Sequence, residues 1–142
     1  MQSVFIKNKK PKKITVSINT FIQKPSTPFQ WSAMEGIDEI KRKRKFLQKG
    51  LKKISGIQII AKSSKEEILQ AVFSLGDRKV GLAIYDKLSR QLDWQQAWER
   101  AKINVEQTIM ASKNYEAKFP WDFIDSGFRK ENLWKLWQQS KE

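Results

Sequence analysis

Asp122 and Asp125 form the acidic pair that the sequence sets beside aromatics in a turn, within Pro120-Trp121-Asp122-Phe123-Ile124-Asp125-Ser126-Gly127. Two carboxylates at this spacing can ligate an ion or divide acid and base work between them. The same spacing suits Asp side chains that accept from nearby backbone N–H groups and hold a turn, and this is the preferred reading. Thr27-Pro28-Phe29-Gln30-Trp31 offers two aromatics for stacking on a flat ligand or a base, as one wall of a substrate site. Anchoring of that loop to the following helix is the preferred role of Phe29 and Trp31. Asp77 and Arg78 precede a helical run, where an Asp satisfies free N–H groups and braces a helix junction. Trp94 and Trp98 stand one turn apart on an apolar stripe and read as core.

The chain has no cysteine and no histidine. Disulfides, zinc sites with Cys or His ligands, iron–sulfur ligation and Cys- or His-based catalysis are therefore excluded within it. Acid–base chemistry would fall to Asp, Glu, Lys or Tyr. No residue is assigned a catalytic or metal-ligating role, because no acidic cluster shows magnesium-like spacing.

At 142 residues, with 39% hydrophobic residues and six tryptophans, the chain is long and apolar enough to bury a core. No run approaches the roughly 20 apolar residues of a membrane span, and the start, Val4-Phe5-Ile6, is too short for a secretory signal. A cytoplasmic protein is expected. Its net charge of +13 is uneven: residues 1–53 hold 14 Lys/Arg against 3 Asp/Glu, and residues 54–142 hold 14 against 12. Such asymmetry fits either a polyanionic partner, RNA or DNA above all, or a solvated basic face without a partner.

Periodicity supplies the elements that must position these residues. Residues 1–13 read as a loose basic lead-in. Ile14, Val16, Ile18 and Ile22 alternate with polar residues as a strand, closed by the two prolines of Lys24-Pro25-Ser26-Thr27-Pro28. A helix is expected from Met34 to Ile54, with Lys41 to Lys45 as its basic block, followed by Gly56 and a short strand, Ile57 to Ala61. Ser64 reads as the N-cap of the next helix, with Glu67 completing a capping box. Gly76-Asp77 ends it. A further helix carries Val80 to Leu88, and one begun by Asp93 runs through Trp94, Trp98, Ala101, Val105 and Thr108. A turn-rich stretch and a last helix with Leu133, Leu136 and Trp137 complete the chain. The expected class is α/β to mostly α. Residues 14–62 form a strand, loop, basic helix and strand, and residues 63–142 a helical domain. So few strands have unpaired edges, so the front of the chain looks like a piece of a larger sheet.

Three stretches together resemble radical SAM (S-adenosylmethionine) proteins of the group that carries an N-terminal cobalamin-binding-like domain. They are Ser17 to Trp31 with Met34 behind it, Gly76-Asp77-Arg78-Lys79-Val80-Gly81, and Pro120 to Gly127 followed by Lys130-Glu131-Asn132-Leu133. The first resembles the last part of the radical SAM barrel, the second a Gly-Asp-Arg-Arg turn, the third the group's C-terminal Pro-Trp-Asp motif. The group often has His where this chain has Ser26 and Phe123, and Pro where it has Gln23.

The resemblance implies the terminal strands of a partial (β/α) barrel followed by a C-terminal helical region. It implies a parent enzyme in which a 4Fe-4S cluster cleaves S-adenosylmethionine to a 5′-deoxyadenosyl radical, and it leaves cobalamin open as a further cofactor. The cluster needs three cysteines in a Cys-x3-Cys-x2-Cys loop near the start of the barrel, so this chain binds none of these cofactors alone and is inactive in isolation. The partner it implies is the N-terminal radical SAM and cobalamin-like portion. On the barrel reading, Ser17, Asn19, Phe21 and Lys24 line the cofactor edge, with Thr27, Phe29, Gln30 and Trp31 on the substrate-side loop. Asp77, Arg78, Trp121, Asp122 and Asp125 belong to the structural motifs. The alternative from composition alone is a small basic helical module that binds RNA, DNA or an acidic partner.

Overall fold

The computed structural model describes residues 13–142. Of the lead-in expected over residues 1–13, residues 1–12 lie outside the described residues. The described residues divide into two compact units: 13–20 with 36–64, and 21–35 with 65–142. The proline-rich loop thus packs with the helices that follow residue 65.

The first unit is strand β1 (Ile14–Ile18), helix α1 (Ile37–Leu51) and strand β2 (Ile57–Ala61). The β-branched residues of ITVSI and IQIIA favour extended backbone. The strands pair in parallel, Ile14 opposite Ile57 through Ile18 opposite Ala61. Gly56, at φ 83°, makes the tight entry to β2 that a Cβ would oppose, and its carbonyl accepts from the Ile14 N–H at 2.9 Å. Parallel strands cannot be joined by a hairpin, and α1 is the helix in this crossover. Asp38 and Glu39 occupy its first turn, where the positive end of the helix dipole favours them. β1 stops at Ile18, four residues before the expected end, where Asn19 turns its side chain back to Ser17. α1 is shorter than expected at both ends: Gly36 is its N-cap and Lys52 its C-cap.

The second unit is helical. A 3-10 turn, Pro28–Trp31, is followed by α2 (Ser64–Leu75), α3 (Lys79–Ser89), α4 (Trp94–Arg100), α5 (Val105–Ile109) and α6 (Lys130–Gln139). Ser64 is the first helical residue of α2 rather than its cap, and Glu67 is buried. The single helix expected over residues 93–108 is two. Lys102 adopts φ 54°, the Ile103 N–H reaches back to the Trp98 carbonyl at 2.9 Å, and Asn104 caps the restart through the Gln107 N–H. The apolar stripe continues across the break, which is why periodicity alone passed over it. Ala71, Val72, Leu75, Ala83, Ala97, Trp98, Ala101 and Ile109 form much of the core. Among the described residues no helix is long and apolar enough to cross a membrane.

Candidate functional site

Gln30 sits at the centre of the second unit's most built-up region. Proline at Pro28 pre-sets the turn that carries it, and the residue is almost wholly buried. Its Oε1 accepts from the Ser26 N–H at 3.1 Å and from the Trp121 indole N–H at 2.9 Å. The proline-rich loop and the Pro-Trp-Asp turn, 91 residues apart, are therefore joined by one buried carbonyl. Ser26 is held at φ 55°, a left-handed backbone uncommon for a residue with a Cβ. The bond from its N–H to Gln30 fixes that conformation.

The neighbours of this joint are aromatic. Trp31 is fully buried, edge-on to Phe119 at 5.9 Å and to Trp134 at 5.0 Å. Trp121 stacks on Phe119 at 4.8 Å. Gln23 is fully buried as well, and its side-chain amide donates to the Ser32 carbonyl at 2.8 Å and the Ile109 carbonyl at 3.3 Å. A cleft of about 290 Å³ opens beside the joint, lined among others by Ser26, Gln30, Trp121, Asp122, Phe128 and Lys130.

The polar groups at that cleft are already engaged. The Asp122 carboxylate accepts from the Phe119 N–H at 2.8 Å, and Asp125 accepts from the Gly127 N–H at 2.9 Å. Both therefore hold turns. The Lys130 ammonium donates to the Ala117 carbonyl at 3.0 Å and lies over the rings of Tyr115 and Phe119. The Tyr115 hydroxyl donates to Glu131 at 3.1 Å. Desolvation, then the Glu131 carboxylate, raises the Tyr115 hydroxyl above its ordinary value. A backbone hydrogen bond, then the tyrosine hydroxyl, lowers Glu131. The hydrogen bond between them braces the segment before α6 against its first turn. Among the described residues no three or more acidic side chains gather to hold a metal ion.

The remaining sequence candidates divide between the units. Ser17 and Asn19 belong to the first, where the Asn19 amide donates to the Ser17 hydroxyl at 3.0 Å on the surface. Phe21 and Lys24 belong to the second. Phe21 is half exposed and meets Phe29 edge-on at 5.5 Å, and Phe29 meets Trp137 at 5.7 Å. The Lys24 ammonium donates to the Ser74 hydroxyl at 2.8 Å, and the Thr27 hydroxyl donates to the Lys24 carbonyl. Asp77 accepts from the Lys79 N–H at 2.8 Å at the start of α3, while Arg78 is the N-cap residue and makes no side-chain cap. Gly76 is required by space: a Cβ there would lie 2.7 Å from the Val72 carbonyl oxygen and against Val80.

Sequence reasoning missed the buried amides of Gln23 and the joint made by Gln30. Neither lies on a periodic face, so no pattern marks them; the departure from proline at Gln23 was the only signal. No family model, curated protein or solved structure matches the chain.

Proposed function

We propose that this chain is the C-terminal part of a radical SAM enzyme of the group with an N-terminal cobalamin-binding-like domain, non-catalytic by itself and contributing one edge of the cofactor and substrate site. The observation that carries this reading is the β1–α1–β2 unit: two parallel strands joined through a helix, none of whose ten residues is buried. Parallel sheets are ordinarily covered on both faces, and a two-stranded sheet alone is marginal. Ile14 at 42% and Ile60 at 51% exposure are costly to leave in water unless further sheet covers them. An end piece of a (β/α) barrel meets that description. The hydrogen bond between Trp121 and Gln30 adds support, because it joins two of the three stretches that carry the resemblance.

On this reading Ser17 and Asn19 lie at the C-terminal end of β1, the end at which α/β barrels gather their sites. Phe21 and Lys24 supply an apolar wall and a cation, and Thr27 and Phe29 the substrate-side loop. Gln30 and Trp31 serve as buried supports beneath it. The cluster and S-adenosylmethionine, which supply the radical when bound, are held by the cysteine-bearing portion.

The test is to produce the chain, without oxygen, together with the polypeptide encoded in frame upstream of it or by the adjacent gene. The expected partner carries a Cys-x3-Cys-x2-Cys loop, and the complex shows cluster absorption and releases 5′-deoxyadenosine from S-adenosylmethionine. A neighbouring sequence without that loop, or a partner equally active without this chain, removes the reading.

A further inference from the structure

The charge of the molecule is concentrated in one unit. Among the described residues the first unit holds ten Lys/Arg against two acidic residues, and the second holds 14 against 13. Both acids of the first unit, Asp38 and Glu39, stand in the first turn of α1, where they pair with Lys41, Arg42 and Lys43. Arg44 turns inward and donates to the Thr20 hydroxyl at 3.3 Å. No carboxylate follows in that unit, so Lys45, Lys49, Lys52 and Lys53 have no acidic partner within it.

These cations share a side. At 100° per residue Arg42, Lys45 and Lys49 fall on the face of α1 opposite Ile40 and Leu51, and Lys52 and Lys53 continue it past the last turn. All five are exposed. With a rise of about 1.5 Å per residue the stripe from Arg42 to Lys53 runs roughly 16 Å, long enough to follow a short stretch of phosphate backbone. Phe46 stands beside it, 75% exposed, between Arg42 and Lys49. An aromatic ring that far into water among lysines is a stacking platform of the kind that single-stranded nucleic acid uses. Duplex would leave the ring without a base to receive it.

We infer that the outward face of α1, Arg42, Lys45, Phe46, Lys49 and Lys53, binds the backbone of single-stranded nucleic acid without sequence preference, with one base stacked on Phe46. This surface is independent of the radical SAM reading, since its binding needs neither cluster nor partner.

Fluorescence anisotropy with a labelled 20-nucleotide oligouridylate, titrated with the 142-residue chain, tests it. Four phosphate contacts predict a salt slope of about −2.8, which is about a fiftyfold loss of affinity between 50 and 200 mM salt. The triple variant K45Q/K49Q/K53Q loses about two units of that slope, while K118Q/K135Q/K141Q, the same charge change on the other unit, leaves it in place. Phe46→Ala weakens single-strand binding fivefold or more and leaves duplex binding unchanged. Circular dichroism of each variant shows the helix retained, so a purely helix-stabilising role for the lysines would move melting and not binding. Three outcomes overturn the inference: equal losses from both triple variants, no effect of Phe46→Ala, or binding to anionic vesicles or an acidic peptide with none to the oligonucleotide.

Discussion

The two units of this chain differ in size and in packing: among the described residues the first has 13 apolar residues and the second 39. The second has a closed aromatic centre, while Tyr85, Leu88, Phe123 and Phe128 stay on its surface. Trp31 is fully buried among Phe119 and Trp134, its loops are joined by the carbonyl of Gln30, and its basic and acidic residues nearly balance. The first unit leaves Ile14, Phe46, Leu47, Ile54 and Ile60 substantially exposed and carries nearly all the excess charge of the described residues. The aromatic centre of the second unit, with its Gln30 joint, is architecture. The first unit has a parallel strand pair with no buried residue and lysines in excess of its carboxylates.

Substitutions can break or sharpen that contrast. The largest effect is expected from Trp31→Ala, which opens a cavity in the second unit and costs about 3–5 kcal/mol in chemical denaturation; a loss below 1 kcal/mol would mean the aromatic cluster is not its core. Gln30→Leu comes next. It leaves the Trp121 indole and the Ser26 N–H without their acceptor and costs about 1–3 kcal/mol, with near-ultraviolet circular dichroism reporting the released tryptophan.

Asp86 tests the charge balance of the second unit. Its carboxylate accepts from Arg90 at 3.0 Å and Arg100 at 3.1 Å, bracing α3 against α4. The Arg90 hydrogen bond above all, with that of Arg100, holds it below the ordinary 3.8. A lowered carboxylate contributes stability above pH 3.8 that is lost as pH falls through its folded-state value. Asp86→Asn is therefore less stable than the parent chain at neutral pH, with the gap narrowing in acid; melting from pH 7 to 2 that shows a constant gap would assign the loss to packing instead. The smallest effect belongs to the first unit. Ile60→Lys changes the stability of the isolated chain by less than about 0.5 kcal/mol, because the side chain is half in water already. Should it unfold the chain, the sheet face is covered internally and the contrast between the units collapses.

Much of this was legible in the residues. The β-branched runs marked both strands, and Asp93 with Gln96 forms the capping box that starts α4. Glycine at position 76 ended α2 as its neighbours required. What was not legible were events of long range. Alternation continues through Ile22, yet β1 stops at Ile18, because the residues after Thr20 join the other unit. Asp122 and Asp125 could have faced a ligand or a turn, and their bonds to Phe119 and Gly127 decide for the turn.

The amino-acid sequence by itself determined the chemistry this chain can hold. Without cysteine or histidine it has no cluster or thiolate ligand, and its charge gathers toward the front, because composition needs no geometry to act. Only the tertiary structure decided which side chains are spent and which are offered. Burial and hydrogen bonding depend on partners dozens of residues away, as Trp121 to Gln30 shows, and no local period encodes such a meeting.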